Sequence, residues 1–527
     1  MAPGGRKGRE KTAASPYGAL TTFPGVKTRD GGPLRAGCPR QDRGERKPMA
    51  SDGNPRLLLV YPPISKAERY GSKLGIFGGK QIPLGLFYLA AYVRQNGFAV
   101  EALDAESLNL DPEAIVSVLR QGNFNVLGIS VTTVSFHRGL ALARIVKRSI
   151  PETTVIVGGP HVSCMPTQPL QFDAFDYAVP HEGEQTLVDF LRALQNGTDP
   201  RSVHGVVFRR DGAIVASPGR DYIRDLDSLP HPAYDMIPDM GAYTPPPFNY
   251  TRRPVANVIT SRGCPNDCTF CENSTFGRRV RMRSAENIAD EIHLLTTRYG
   301  IREIAFVDDT FTLSRKRIQR IFQRTRELGL FFPWTCMSRI NTVDESLLQY
   351  MRDNGCWYIA FGIESGDPAI LKRIRKNISL TDVRDRVDSC AALNIKTKGF
   401  FMIGHPGESV ETIDRTIEFA TGLKLDHIVV TINTPMPGSH QYRHAAEFGT
   451  LDNTDWSQFN YWQPVFVPHG LSRGLIHAKQ KEFLKRFYSH PERLARGLRR
   501  SLREPRNTLY QCRNMAVDFW RFVSAES

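Results

Sequence analysis

The sequence holds no segment long enough to cross a bilayer. Its longest apolar run, Ile82 to Val93, is interrupted by Pro83, and a spanning helix needs about 20 apolar residues. No apolar stretch follows the basic N-terminus, so a secretory signal is not expected and a cytoplasmic location is. Cysteines number nine, an odd count that argues against a disulfide framework. Charge is nearly balanced over most of the chain. Of the formal +15, residues 1–50 carry +7 and residues 478–507 another +7, so no basic cleft is implied and nucleic-acid binding is not expected. With 41% hydrophobic and 23% charged residues, the bulk of the 527-residue chain can bury a core and is neither a collagen nor a disordered tail.

The two basic ends read differently. Residues 1–54 are rich in Gly and Arg and poor in bulky apolar residues, which predicts a disordered extension. Near the other end, Leu494, Leu498 and Leu502 recur every four residues among Arg493, Arg496, Arg499, Arg500 and Arg503. This is a basic amphipathic helix. It can rest on an anionic membrane surface or pack on the protein with its basic face in water.

Between the ends, short apolar runs alternate with helical stretches. Residues 56–61, 98–103, 126–131 and 155–157 read as strands; residues 84–95, 112–120, 139–147 and 187–194 read as helices. The alternation predicts a doubly wound parallel sheet over residues 55–200, with its ligand beyond the carboxyl ends of the strands. The loops concerned are Tyr61-Pro62-Pro63, Ser130 to Ser135, Gly158 to Ser163 and His181 to Glu184. Residues 201–254 hold a hairpin signal around Asp211-Gly212, then a proline-rich linker. From Val255 a second series of six strand–helix repeats runs to residue 440. Six parallel strands suit an open, partial barrel better than a closed one of eight. Residues 441–527, with aromatic pieces and the basic helix, read as a small α-rich cap.

Six cysteines are scattered and read as inert thiols. Cys264, Cys268 and Cys271 instead form Cys-x-x-x-Cys-x-x-Cys directly after the first strand of the second series. Three thiolates on one tight loop can hold three irons of a cubane cluster and leave the fourth open, and an open metal position is a reactive one. A structural zinc site is the competing reading. It needs a fourth Cys or His nearby, and the next His, His293, stands 22 residues on.

This loop, with Phe270 before its last cysteine, resembles that of the radical S-adenosylmethionine (SAM) superfamily. The resemblance implies a 4Fe-4S cluster that binds SAM and cleaves it reductively to a 5′-deoxyadenosyl radical, with an external electron donor of flavodoxin or ferredoxin type. Further landmarks end successive strands: Phe306 to Asp309, Gly362 to Gly366, Gly399 to Glu408 and Pro435 to Gly438. The resemblance implies that Glu364 contacts the SAM ribose or amine. Arg339 is a candidate for the SAM carboxylate, since Arg pairs with carboxylates bidentately. Asp308 and Asp309 stand where the family has Gly-Gly-Glu, so Asp308 enters as a cofactor contact while the contacts to the SAM amine stay open.

In the first series, Gly158-Gly159-Pro160-His161 and His181-Glu182-Gly183-Glu184 resemble loops of the cobalamin-binding domain fused to one large class of these enzymes. The implied cobalamin contacts are Ser130, Gly158, Gly159, His161, Gly183 and Glu184. No Asp-x-His-x-x-Gly motif occurs, so cobalt is expected to lack a protein imidazole. His161 and His181 read more simply as loop or corrin-edge residues. The implied activity is C-methylation of an unactivated carbon through the deoxyadenosyl radical and methylcobalamin. No side chain stands out as the catalytic one. The alternatives are an anaerobic oxidative cyclase or rearrangement enzyme with the same cofactors, or a non-catalytic cobalamin or iron-sulfur sensor. A small-molecule or lipid-like substrate suits the aromatic cap and basic helix, which also allow peripheral membrane contact.

Overall fold

The computed structural model describes residues 54–71, 78–246, 249–493 and 495. The basic extension and most of the leucine–arginine helix, with Leu494, Leu498 and Leu502, lie outside these residues. Among the described residues no helix is long and apolar enough to cross a membrane.

The N-terminal sheet has seven strands: β1 (Arg56–Tyr61), β2 (Ala99–Asp104), β3 (Val126–Ser130), β4 (Thr154–Gly158), β5 (Tyr177–Val179), β6 (Val207–Arg210) and β7 (Ala213–Ala216). Their order is 2-1-3-4-5-6-7. The first five are parallel, and the antiparallel β6–β7 hairpin extends the same sheet. The hairpin read as part of the linker is therefore the edge of this sheet. Strand β5, which sequence patterning misses, is only three residues long. Alternation along β1 sends Leu57 and Leu59 to one apolar layer and Leu58 and Val60 to the other. Helices α1 (Leu84–Gln95) and α4 (Glu184–Gln195) cover the first face; α2 (Pro112–Gln121) and α3 (Phe136–Ser149) cover the second. The order reverses between β1 and β3, and ligands of such sheets sit at that switch point.

The second sheet is β8 (Val255–Val258), β9 (Glu303–Phe306), β10 (Trp334–Ser338), β11 (Cys356–Glu364), β12 (Lys396–Ile403) and β13 (His427–Ile432), parallel and in sequential order. Edge strands β8 and β13 do not pair with each other, so the barrel is open. Its helices are α5 (Ala285–Thr297), α6 (Arg315–Glu327), α7 (Glu345–Asp353), α8 (Leu380–Ala392) and α9 (Val410–Thr421). Each starts on a Ser or Asp (Ser284, Ser314, Asp344, Ser379, Ser409) whose side chain accepts the N–H three residues on. Such caps are worth about 1 kcal/mol each and fix where the preceding loop ends. The cap region contributes a short antiparallel pair, Gly449–Leu451 with Phe466–Pro468, and helix α10 (Arg473–Tyr488), which packs on β13 and α9.

The apolar layer under Leu57 and Leu59 continues through Phe87, Tyr88 and Tyr234 to Ile288, Ile292 and Ile304 of the barrel. Linker residue Tyr234 donates its hydroxyl to Glu291 of α5 at 2.5 Å, and Ala233 N–H bonds the Phe87 carbonyl of α1 at 3.0 Å.

Candidate active site

One cavity of about 1180 Å³ joins the carboxyl edge of the N-terminal sheet to the inner face of the barrel. It exceeds the roughly 300–1,000 Å³ of ordinary small-molecule pockets, as a corrin-sized cofactor beside a substrate requires. Tyr61, Ser130, Gly158, Gly159, Gly183 and Glu184 line its first part. At Gly159 the backbone has φ +98° and ψ −176°, a region open essentially to glycine, and a Cβ would stand 2.7 Å from the Val131 carbonyl oxygen. Gly159→Ala is expected to cost about 1–3 kcal/mol, read as a lowered melting temperature. Gly219→Ala, where a Cβ meets open space, leaves it unchanged.

His161 does not line this cavity. Pro160–Cys164 forms a helical turn that buries the ring against Phe136, centroids 4.6 Å apart, with Nδ1 3.2 Å from Thr133 Oγ1 and Nε2 3.2 Å from Gln168 Oε1. Burial pulls its pKa down to about 4. His181 does line the cavity. It adopts φ +63°, and its Nδ1 lies 2.6 Å from the Ser274 carbonyl of the cysteine loop.

The two halves meet in a buried ion-pair network. Arg262, two residues before Cys264, donates to Glu182 Oε1 and Glu184 Oε1, both at 2.7 Å. Arg281 Nη1 donates to Glu182 Oε2 at 2.7 Å, and Ile223 N–H to the same oxygen at 2.7 Å. All four side chains are buried. The Glu184 carboxylate, expected at the cofactor, is thus engaged by Arg262 at the cavity wall.

The cysteine loop is clamped from three sides. Cys264 N–H bonds the Gly277 carbonyl at 3.4 Å, Thr269 N–H the Ile374 carbonyl at 3.0 Å, and Asp267 pairs with Arg375 at 2.6 Å. Gly263, at φ +91°, passes so close to the Arg279 carbonyl that a Cβ would lie 2.6 Å from its oxygen. Cys268 is buried, Cys264 half-buried and Cys271 exposed. Arg339 Nη1 donates to Cys268 Sγ at 3.4 Å, which sets a guanidinium beside that sulfur. Among the described residues no group of three His, Cys, Asp or Glu side chains is placed to hold a single metal ion.

Beyond the loop, the carboxyl ends of β11, β12 and β13 hold buried polar groups. Glu364, at φ +71° on a bulge, accepts from Lys376 Nζ at 2.8 Å, and Arg339 Nη2 donates to the Lys376 carbonyl. The His405 ring stands 5.9 Å from Phe270, both its nitrogens lack a partner, and burial lowers its pKa to about 3. Glu408 accepts the N–H groups of Gly404 and His405. Its other oxygen has no partner, and burial raises its pKa to about 8. Asn433 Nδ2 donates to the Gly404 carbonyl while its Oδ1 is unpartnered. Orphaned buried polar atoms are uncommon, and a cluster at strand ends marks a place where a polar ligand fits.

Glu364 and Arg339 therefore stand together with Cys268 and Phe270 around Lys376, outside the cavity lining, and Ser130, Gly158, Gly159, Gly183 and Glu184 line the cavity. Asp308 is fully buried and does not line the cavity; its Oδ1 accepts from Thr260 N–H at 3.1 Å and from the hydroxyls of Thr260 and Ser261, which ties the end of β8, while its Oδ2 has no partner. Sequence patterning missed His405, Glu408 and Asn433 as a group, although His405 and Glu408 lie in a singled-out segment. It also missed the Arg262 and Arg281 pairs, which join residues about 80 to 99 positions apart.

A family model described as the radical SAM superfamily matches residues 258–420, and one described as a B12 binding domain matches residues 74–191. An uncharacterized methyltransferase of Pyrococcus horikoshii is 33% identical over 446 residues, 84% of this chain and 94% of the relative. The fold is similar to that of the radical SAM methyltransferase TsrM from Kitasatospora setae, with TM-score 0.61 and 19% identity over 76% of this chain and 79% of that one. It is equally similar to the cobalamin-dependent radical SAM enzyme OxsB, with TM-score 0.61 and 19% identity over 74% of this chain but only 55% of that one.

Proposed function

The chain belongs to the radical SAM superfamily, in the branch with a B12-binding domain ahead of the barrel, and on that premise we propose that it is a cobalamin-dependent C-methyltransferase acting at an unactivated carbon. The observation that carries this reading is the single cavity joining the cobalamin edge of one sheet to the interior of the other. A methyl donor and a substrate carbon have to meet in such a space. Enzymes of this superfamily act on small molecules and need an electron donor, here of flavodoxin or ferredoxin type.

When bound, the 4Fe-4S cluster supplies the electron that splits SAM, and cobalamin carries the methyl group. Cys264, Cys268 and Cys271 would hold the cluster. Arg339 keeps a positive charge beside the Cys268 sulfur. The Glu364–Lys376 pair and the unpartnered atoms of His405, Glu408 and Asn433 receive the polar edges of SAM. Ser130, Gly158, Gly159 and Gly183 present a wall free of large side chains to the corrin. Ile259, Val307, Met337 and Val429 keep water from the reacting carbon.

The test is anaerobic reconstitution with iron, sulfide and hydroxocobalamin, then incubation with SAM and dithionite and mass spectrometry of the products. Both 5′-deoxyadenosine and S-adenosylhomocysteine are expected. The first alone points to ring closure or rearrangement, and neither, with a full iron complement, sinks the radical reading.

A further inference from the structure

The inner face of the barrel is largely apolar where it lines the cavity, and its polar exceptions are Asn257, Thr335, Lys398 and His427. Along β12, Lys398 and Phe400 line the cavity, while Phe401 turns outward onto Phe483 of α10, ring centroids 5.3 Å apart. Strand register puts Met337, Ala360, Lys398 and His427 in one row across β10 to β13. Lys398 is buried. Its Nζ lies over the rings of Phe400 and Tyr358 at 5.1 and 5.6 Å and donates to Asn249 Oδ1 at 3.3 Å.

Among the described residues no carboxylate stands within ion-pair distance of Lys398. The other Lys and Arg side chains on the cavity wall are matched: Arg69 pairs with Glu106, and Arg262 with Glu182 and Glu184. A buried ammonium without a counter-charge is costly, and a methionine would fill the same space at no such cost. Burial alone lowers the pKa of Lys398 to about 8. Two aromatic faces and one amide oxygen hold the cation in place without neutralising it.

We propose that the substrate is an apolar molecule bearing one anionic group, a carboxylate or a phosphate, which pairs with Lys398 Nζ while its apolar part lies along Met337, Ala360 and Phe400. Lys398 then fixes the depth at which the substrate enters the barrel, and so which carbon faces the cofactors. The assignment rests on the methyltransferase reading for its biological meaning, but binding can be measured without turnover.

The test uses the reconstituted full-length protein and three probes: decanoate, decyl phosphate and decanol, with binding measured by calorimetry. At least one anion is expected to bind roughly 30-fold or more tightly than decanol, as desolvated charge pairs do. Which anion is tighter identifies the group. Lys398→Met is expected to bring both anions to the level of decanol, and Lys398→Arg to keep the preference. Unchanged decanol binding and an unchanged cobalamin spectrum show that the Met variant is folded. Equal binding of anions and alcohol by the wild type overturns the assignment. So does an anion preference that survives Lys398→Met, or no anion binding up to the solubility of the probes. A protein that forms both SAM products yet shows no anion preference loses this assignment and keeps the methyl transfer.

Discussion

Cys268→Ala protein, reconstituted with iron and sulfide, is expected to hold no stable four-iron cluster and to cleave SAM no faster than a protein-free control. Cys268 is the buried member of the three, and the one whose sulfur accepts from a guanidinium, Arg339. Alanine removes an iron ligand and leaves Arg339 facing an apolar gap, so the loss is not made up by solvent. Cys356→Ala and Cys390→Ala are the controls. Both thiols are buried in the barrel core and lie outside the loop, so iron content stays at the wild-type level. Iron and sulfide assays with 5′-deoxyadenosine yield check the set. A Cys268→Ala protein with full iron and normal cleavage would remove the loop from the mechanism.

Glu182→Gln is expected to destabilise the folded protein by about 3–5 kcal/mol, the usual cost of removing one partner from a buried ion pair. Glutamine has nearly the same volume, so packing is not at issue. The change leaves Arg281 with no carboxylate and Arg262 with only Glu184. Glu184→Gln leaves Arg262 still paired with Glu182, and about 1.5–3 kcal/mol is expected, the range for a hydrogen bond to a charged group. Denaturant midpoints followed by fluorescence give the order: wild type, Glu184→Gln, Glu182→Gln. Equal midpoints for all three would mean that the network contributes nothing net. Because Arg262 leads into Gly263 and Cys264, the Glu182 variant should also retain less iron after reconstitution.

The fold was legible where periodicity was strong. The helices read at 84–95 and 112–120 correspond to α1 (Leu84–Gln95) and α2 (Pro112–Gln121). The short β5 and the turn Pro160–Cys164 were not, because three residues carry no period and a proline after two glycines reads as loop. The same turn explains why His161, which looks like a loop histidine in the sequence, lies in the core. At the site, the cysteine spacing announced its chemistry locally. The tie that Asp308 makes was not readable, because Thr260 and Ser261, which bond its Oδ1, are about 48 residues away in sequence. The ion pairs of Glu182 and Glu184 were equally hidden: nothing near them in the chain reveals the arginines they meet. Lys398 had a signal, a cation followed on the same face of its strand by the apolar Phe400 and Met402, but its meaning needed the register of its neighbours.

The apolar layer that runs from Leu57 through Tyr234 to Ile304 has a bearing on how this molecule can be taken apart. The chain looks divisible between the hairpin and Val255, where prolines cluster. Yet Ala233 and Tyr234 are mortar between α1 and α5, bonded to both. A gene cut at that place would leave each product with a raw apolar wall. A chimera that borrows the first sheet from a relative should therefore bring residues 226–254 with it, and the surface of α5 that receives Tyr234 should be matched to the graft.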